Sequence, residues 1–265
     1  MPDMMQNRVL RLQFSVRDSL TDCNPPLLLN KILSAFVGAG IPLAMGKEKH
    51  RKPIAHLAYP LPLGVEGLEE WADITIETGL TDSLDVIKER LRSCSPEGLD
   101  IIGVEQIPLH ASSIAELCEE ACWRWLCPYE LFRDALNKIE TFKNSDSFQI
   151  TKTSKVEGKK STKTIEVRHM VQWIDWDDRD LQFSTKIIQG QALNPQKIIA
   201  GIMDVGPEQL GKFQRERIVF KHDPKLNRHD KYAIKLRNLY EDAVLLESGP
   251  GLKVIEDDDD DWLSL

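Results

Sequence analysis

GIPLAMGKEKHRKPIAHLAYPLPLGVEG, residues 40–67, leaves an amphipathic helix, crosses a basic loop and returns through an apolar strand to a second turn at Pro60-Leu-Pro-Leu-Gly64. The loop gathers Lys47, Lys49, Arg51 and Lys52 around His50. Pro42 and Pro53 bracket it, and each fixes φ and supplies no N–H, so the loop is framed before it does anything. A cationic loop held between a helix and a strand is a place to hold a phosphate or another anion. Lys47, Lys49, His50, Arg51 and Lys52 are its candidate ligands.

Working outward, Arg8 to Val16 alternates apolar and polar residues and reads as a first strand. Leu28, Leu29, Ile32, Leu33, Phe36 and Val37 form a helical stripe over about 26–39, with Asn24 as a cap and Pro25 and Pro26 in the first turn. Strands follow at 54–59 and 71–77, a helix runs from the Thr81–Ser83 caps to about Cys94, and a fourth strand covers 99–108. This β-α-β-β-α-β order is the ferredoxin-like arrangement, two helices on one face of an antiparallel sheet. From about residue 112 the pattern starts again. Leu117–Leu126 is a strand or short helix, 128–142 a helix, 147–156, 163–174 and 181–189 strands, 194–203 a helix and 213–221 a last strand. The expected fold is α+β: two ferredoxin-like halves with antiparallel sheets, residues 1–110 and 111–222, packed together. A basic extension, 223–248, and an acidic tail, 249–265, follow.

The net charge of −8 belongs to the tail. Residues 241–265 hold nine acids against Lys253, so residues 1–240 are formally neutral. Five consecutive aspartates repel one another and cannot join a core, and Glu256–Asp261 is expected to be disordered. Within the body, residues 212–237 hold nine Lys or Arg against three acids, and residues 150–168 hold six against two. Lys159, Lys160, Arg168, Lys212, Arg215 and Arg217 are the candidate polyanion contacts there. Such clusters displace counterions along a phosphate backbone, or they are solvated basic faces; Trp173 and Trp176 are either stacking residues or core.

Apolar runs fall far short of a membrane span and no signal-peptide pattern opens the chain. A cytoplasmic protein with reduced thiols is expected, since the five cysteines suit no disulfide framework. Cys118, Cys122 and Cys127 approach the spacing of a radical SAM iron–sulfur motif, but neither a helix nor a strand turns all three to one side. Buried apolar thiols beside Trp123 and Trp125 are the simpler reading, with no cofactor and no metal. No Walker loop, nucleophile elbow or zinc-binding histidine pattern is present.

Gly40, Pro42-Leu-Ala44, His50, Pro53 and Leu61-Pro-Leu-Gly-Val-Glu66 fall in register with a family signature, and Trp71-Ala-Asp73 continues it with an aromatic residue, one residue and Asp. The chain resembles the radical-SAM-linked proteins, a bacterial domain of unknown function numbered 2344. Met45-Gly46, Glu48-Lys49 and Arg51 depart from the pattern, and Asn24-Pro-Pro26 replaces the Ser-His-Leu-Asp that usually opens the first helix. The resemblance implies a radical SAM protein as partner. Three expectations result: a non-catalytic accessory protein that binds a macromolecular substrate such as RNA for that partner; an RNA-processing or RNA-modifying enzyme that uses His50 as a general base beside the basic residues; or a structural interaction protein.

Overall fold

Strand β1, Arg8–Val16, is the centre of the first half because its apolar residues Leu10, Leu12, Phe14 and Val16 are all buried and both its edges are paired. β3, Val65–Ile76, and β4, Leu99–Ile107, flank it, each antiparallel. In this computed structural model the described residues are 7–47, 51–77, 79–156, 159–188 and 193–226, with the backbone alone described for 151–163. Met1–His222 forms one compact unit and Asp223–Leu265 a second. The expected basic extension from residue 227 and the acidic tail lie outside the described residues.

Helix α1, Pro25–Gly38, starts where the sequence placed it: the Asn24 side chain accepts the Leu27 N–H at 2.9 Å, and proline occupies the first turn. It stops in a Schellman turn. The Ile41 N–H bonds the Phe36 carbonyl, the Gly40 N–H bonds that of Val37, and Gly40 takes φ +66°. The first glycine of the signature is therefore a helix stop. Helix α2, Leu84–Cys94, is capped by Ser83, and the short β2, Ala55–Leu57, pairs antiparallel with β3.

The second half runs through the helical turn α3, Ile114–Leu117, β5, Cys118–Leu126, and α4, Tyr129–Lys143. A hairpin follows, β6, Gln149–Val156, and β7, Lys159–Glu166. Then come β8, Val171–Asp177, β9, Asp180–Lys186, α5, Pro195–Met203, and β10, Lys212–Phe220. The strand order is β4-β1-β3-β10-β5-β9-β8, with β2 on β3; β6 and β7 pair only with each other. With that hairpin set apart, the second half repeats the β-α-β-β-α-β connectivity of the first.

Two expectations change. The halves do not carry separate antiparallel sheets: one eight-stranded sheet runs through both, closed by a parallel pairing of Phe213, Gln214 and Arg215 with Val65, Glu66 and Gly67. The physical reason is that β2 covers β3 only at residues 72–74, which leaves the edge from Val65 onward unpaired, and an open edge of that length invites another strand. Nor is 163–174 one strand. A 3-10 turn, Arg168–Met170, divides it, because Arg168 turns inward to the carbonyls of Ser145 and Lys143 at 3.1 and 3.0 Å.

Candidate functional site in the signature loop

The last residues of the signature hold the two halves together. The Val65 N–H bonds the Pro62 carbonyl in a turn that requires a positive φ at its third residue, which Gly64 supplies at +73°. Val65, fully buried, then faces Phe213 across the parallel join, and Gln214 donates to the Glu66 carboxylate at 2.8 Å. Next to it lies a buried ion pair that the sequence did not disclose. Arg215, with 0 % of its surface exposed, donates through Nε to Glu70 Oε1 at 2.7 Å and through Nη2 to Glu70 Oε2. It also donates to the carbonyls of Tyr59 and Pro60, and its guanidinium lies over the Tyr59 and Trp123 rings at 5.4 and 5.5 Å. Burial pushes the Glu70 carboxyl above its usual range against the pull of Arg215. Gly67 makes room: a Cβ there would stand 2.5 Å from Glu70 Cγ.

Asp73 of the Trp-x-Asp motif is structural in the same way. It accepts from Arg11 Nε and Nη2 at 2.8 and 3.0 Å and from the Ile114 N–H at 2.7 Å, while Arg11 also reaches the Ser112 carbonyl. The pair ties β1 and β3 to the segment that enters the second half.

The first part of the signature forms a different kind of surface. Ala44 N–H bonds the Thr75 carbonyl, Ile54 N–H bonds that of Ala44, and Gly46 N–H bonds that of Lys52 at 2.8 Å, so the loop is stitched across its neck and onto the end of β3. Met45 and Pro53 bridge antiparallel at that neck. Beyond it a cleft of about 470 Å³ opens, lined by Asn7, Ala44, Met45, Gly46, Lys47, Arg51 and Glu77. Lys47, Arg51 and Lys52 are exposed, and no carboxylate lies within ion-pair distance of them among the described residues. Lys49 and His50 lie outside the described residues. The described part of the cleft offers the cations Lys47 and Arg51 for an anion, with the Glu77 carboxylate on the same lining.

The remaining expected contacts scatter. Lys159 and Lys160 are on β7, and Lys212 is exposed at the start of β10. Arg217 is exposed and bonds the Cys122 thiol. Arg168 and Arg215 are not surface cations: Arg168 serves three backbone carbonyls and lies 5.2 Å from the Phe142 ring centre, and Arg215 is buried. Trp173 is half-exposed, whereas Trp176 packs on Trp125 and Phe132. The three cysteines do not converge. Cys118 Sγ donates to the carbonyls of Ala58 and Ile114, Cys122 lies beside Arg217, and Cys127 Sγ donates to the Pro128 carbonyl. Burial pushes Cys118 up to about 11 and Cys127 up to about 12, and raises Cys122, so all three are thiols at neutral pH. Among the described residues no group of three or more His, Cys, Asp or Glu side chains is placed to hold a metal ion, and no helix is long and apolar enough to cross a membrane.

A family model described as "Uncharacterized protein conserved in bacteria (DUF2344)" matches residues 33–196, which span the signature and the hairpin β6–β7. No curated protein matches the chain. Among solved structures, "Crystal Structure of an Unknown Protein from Galdieria sulphuraria" aligns at 10 % identity over 68 % of this chain and 81 % of that one, with a TM-score of 0.23.

Proposed function

This chain belongs to DUF2344, a family of uncharacterised proteins conserved in bacteria, and from that premise we propose that it is a non-catalytic accessory protein that holds RNA for a radical SAM partner. Each half is read as a ferredoxin-like unit and the cytoplasm as the compartment. The observation that carries this reading is the signature-loop cleft: exposed Lys47 and Arg51 in its lining and a neck fixed by backbone hydrogen bonds. Cations on a fixed loop bind phosphate through charge and cost little ordering, which suits holding a substrate rather than transforming it. Burial raises the Cys118, Cys122 and Cys127 thiols, and the buried carboxylates Glu70 and Asp73 are paired with Arg215 and Arg11.

The test is recovery of the tagged full-length protein from native cytoplasm, with RNA and protein both identified, beside a Lys47→Gln/Arg51→Gln variant. Co-recovery of RNA and a radical SAM protein by the parent, with the RNA reduced in the variant, is the expected result. Recovery of neither overturns the reading. Replacing His50 by Ala separates it from the enzyme alternative: RNA turnover that is present in the parent and lost in His50→Ala would make this an enzyme.

A further inference from the structure

We propose that a cleft at the C-terminal end of β1 binds a small zwitterion, a molecule that carries an ammonium and a carboxylate at once, such as a free amino acid; this is a function separate from the RNA-holding role. The cleft measures about 330 Å³, and its lining includes Ser15, Arg17, Asp18, Glu97, Gly98 and Asp100. That is the small end of the range for ligand clefts. Its floor is fixed by the backbone. The Arg17 N–H bonds the Gly98 carbonyl at 2.9 Å, and Gly98 takes φ +85° with no room for a side chain, since an added Cβ would stand 2.5 Å from the Arg17 carbonyl oxygen. Beyond Arg17 the 3-10 turn Asp18–Asp22 opens with Asp18 at φ +53°, and the Thr21 hydroxyl donates to the Asp18 carbonyl at 2.8 Å.

Two observations point to a ligand. The first is Ser15. Alternation along β1 sends it to the sheet face opposite Phe14 and Val16, where it stands across from Asp100. Only 3 % of Ser15 is exposed, yet its hydroxyl has no hydrogen-bond partner among the described residues and it lines the cleft. A buried hydroxyl without a partner carries a cost that a bound polar group removes. The second is the charge pattern. Arg17 and the carboxylates of Asp18, Glu97 and Asp100 share this one cleft, but among the described residues no ion pair joins Arg17 to any of them; Asp100 stands 3.8 Å from Arg92 of α2. Opposite charges that neutralise each other have nothing left for a ligand, whereas these are unpaired across the cleft and leave it with both signs. The guanidinium presents the donor fork that a carboxylate accepts, and the acids accept from an ammonium. A metal ion fits less well, because among the described residues no three such side chains are placed to hold one.

The experiment records amide NMR spectra of the full-length chain while glycine, β-alanine, γ-aminobutyrate and ε-aminocaproate are added in turn, with butylamine and butyrate as probes that carry one charge each. The reporters are the amides of Ser15, Gly98 and Asp100, so ammonium groups drawn to the acidic run Glu256–Asp261 do not register. One member of the series should shift those amides and bind about tenfold more tightly than butylamine or butyrate, the gain from a second charge-assisted hydrogen bond. Arg17→Gln should bring that amino acid down to the affinity of butylamine and leave butylamine itself unchanged, whereas Glu97→Gln with Asp100→Asn should bring it down to that of butyrate. These side chains are exposed, and an unchanged amide spectrum away from the cleft shows that the fold is kept. The single-charge probes test the claim on the parent chain without any substitution. No shift at the reporter amides with any member of the series overturns the proposal. So does butylamine binding as tightly as the best amino acid, or Arg17→Gln binding that amino acid as tightly as the parent does. None of these results bears on RNA recovery, so the RNA-holding role stands or falls separately.

Discussion

Replacing Glu70 by Gln should destabilise the fold by about 3–4 kcal/mol, because it leaves the buried Arg215 guanidinium without its counterion. Arg215 makes its hydrogen bonds to Glu70 through two nitrogens and to the carbonyls of Tyr59 and Pro60, and no part of it is exposed. The glutamine keeps the shape but turns one donor toward a donor and removes the charge. In urea the midpoint should fall by about 1–2 M at an m-value of about 2–3 kcal/mol/M. Glu89→Gln is the control: its partner Arg92 sits at 3.0 Å, but the Glu89 side chain is 64 % exposed, and surface pairs of that kind contribute under about 1 kcal/mol.

A double replacement, Glu70→Leu with Arg215→Met, should recover part of the loss but not all. The carbonyls of Tyr59 and Pro60 lose their donors in that variant, at about 1–3 kcal/mol for each one left dry. The double variant should therefore lose less stability than the two single losses sum to, and a double-mutant cycle reads that coupling. The pH dependence has a definite sign. Burial lifts the folded-state pKa of Glu70 above its usual 4.5, so over a window above that value the folded chain keeps a proton that the unfolded chain has released. Stability then falls as pH rises through the window, and this contribution vanishes in Glu70→Gln. A Glu70→Gln midpoint no lower than that of Glu89→Gln would refute the claim that this pair fastens the halves.

Gly67→Ala should cost about 1–3 kcal/mol by overpacking, since its Cβ meets a carboxylate held in place by Arg215, and the cost should shrink in a Glu70→Ala background; chemical denaturation of the three variants checks this. Asp73→Asn should cost about 3–5 kcal/mol by stranding Arg11, seen as a lowered urea midpoint and faster exchange of the Ile114 amide. Cys94 is exposed and should be alkylated first in the folded chain, whereas Cys118 and Cys127, pushed up to about 11 and 12, should react only after unfolding; mass mapping of a time course decides it. Glu166 is held down to about 2 by the Ser147, Phe148 and Arg168 donors. Its contribution is present above the unfolded carboxylate range and is lost as pH falls through about 2, so the Phe148 and Arg168 amides should lose protection in that acid window, and at neutral pH in Glu166→Gln.

Local rules carried much of the fold. Asn24, Ser83 and Asn194 accept first-turn N–H groups as caps should, and the first helix buries Leu28, Ile32 and Phe36 of its expected stripe, whereas Val37, at the end of that stripe, is exposed. What failed was non-local. β3 starts at Val65 because β10, some 150 residues later, lies along its edge; nothing within residues 60–70 announces that, and the Pro-Leu-Pro-Leu-Gly run reads as loop. The break between β7 and β8 depends on Arg168 reaching two carbonyls at the end of α4. Arg215 is the instructive miss. It was counted with the basic segment 212–237, yet it alternates with Phe213 on a strand and so shares the face that Phe213 buries. Glu70 stands in the same relation to Ala72 and Ile74.

Period two thus marks both ends of the hidden pair, and charge counting conceals it, because a run of like charges is read as one surface when a strand sends alternate members to opposite sides. The signature itself divides between two tasks, loop before Pro53 and strand after Gly64. Val65, Glu66 and Gly67 serve the join to β10, so their identity is explained by packing and hydrogen bonding alone. Lys47 and Arg51 satisfy nothing inside the described fold and line a cleft. A loop fastened at its neck while its cations face outward has its shape set by the fold and its charge left over for a ligand, which is why function is sought before Pro53 and structure after Pro60.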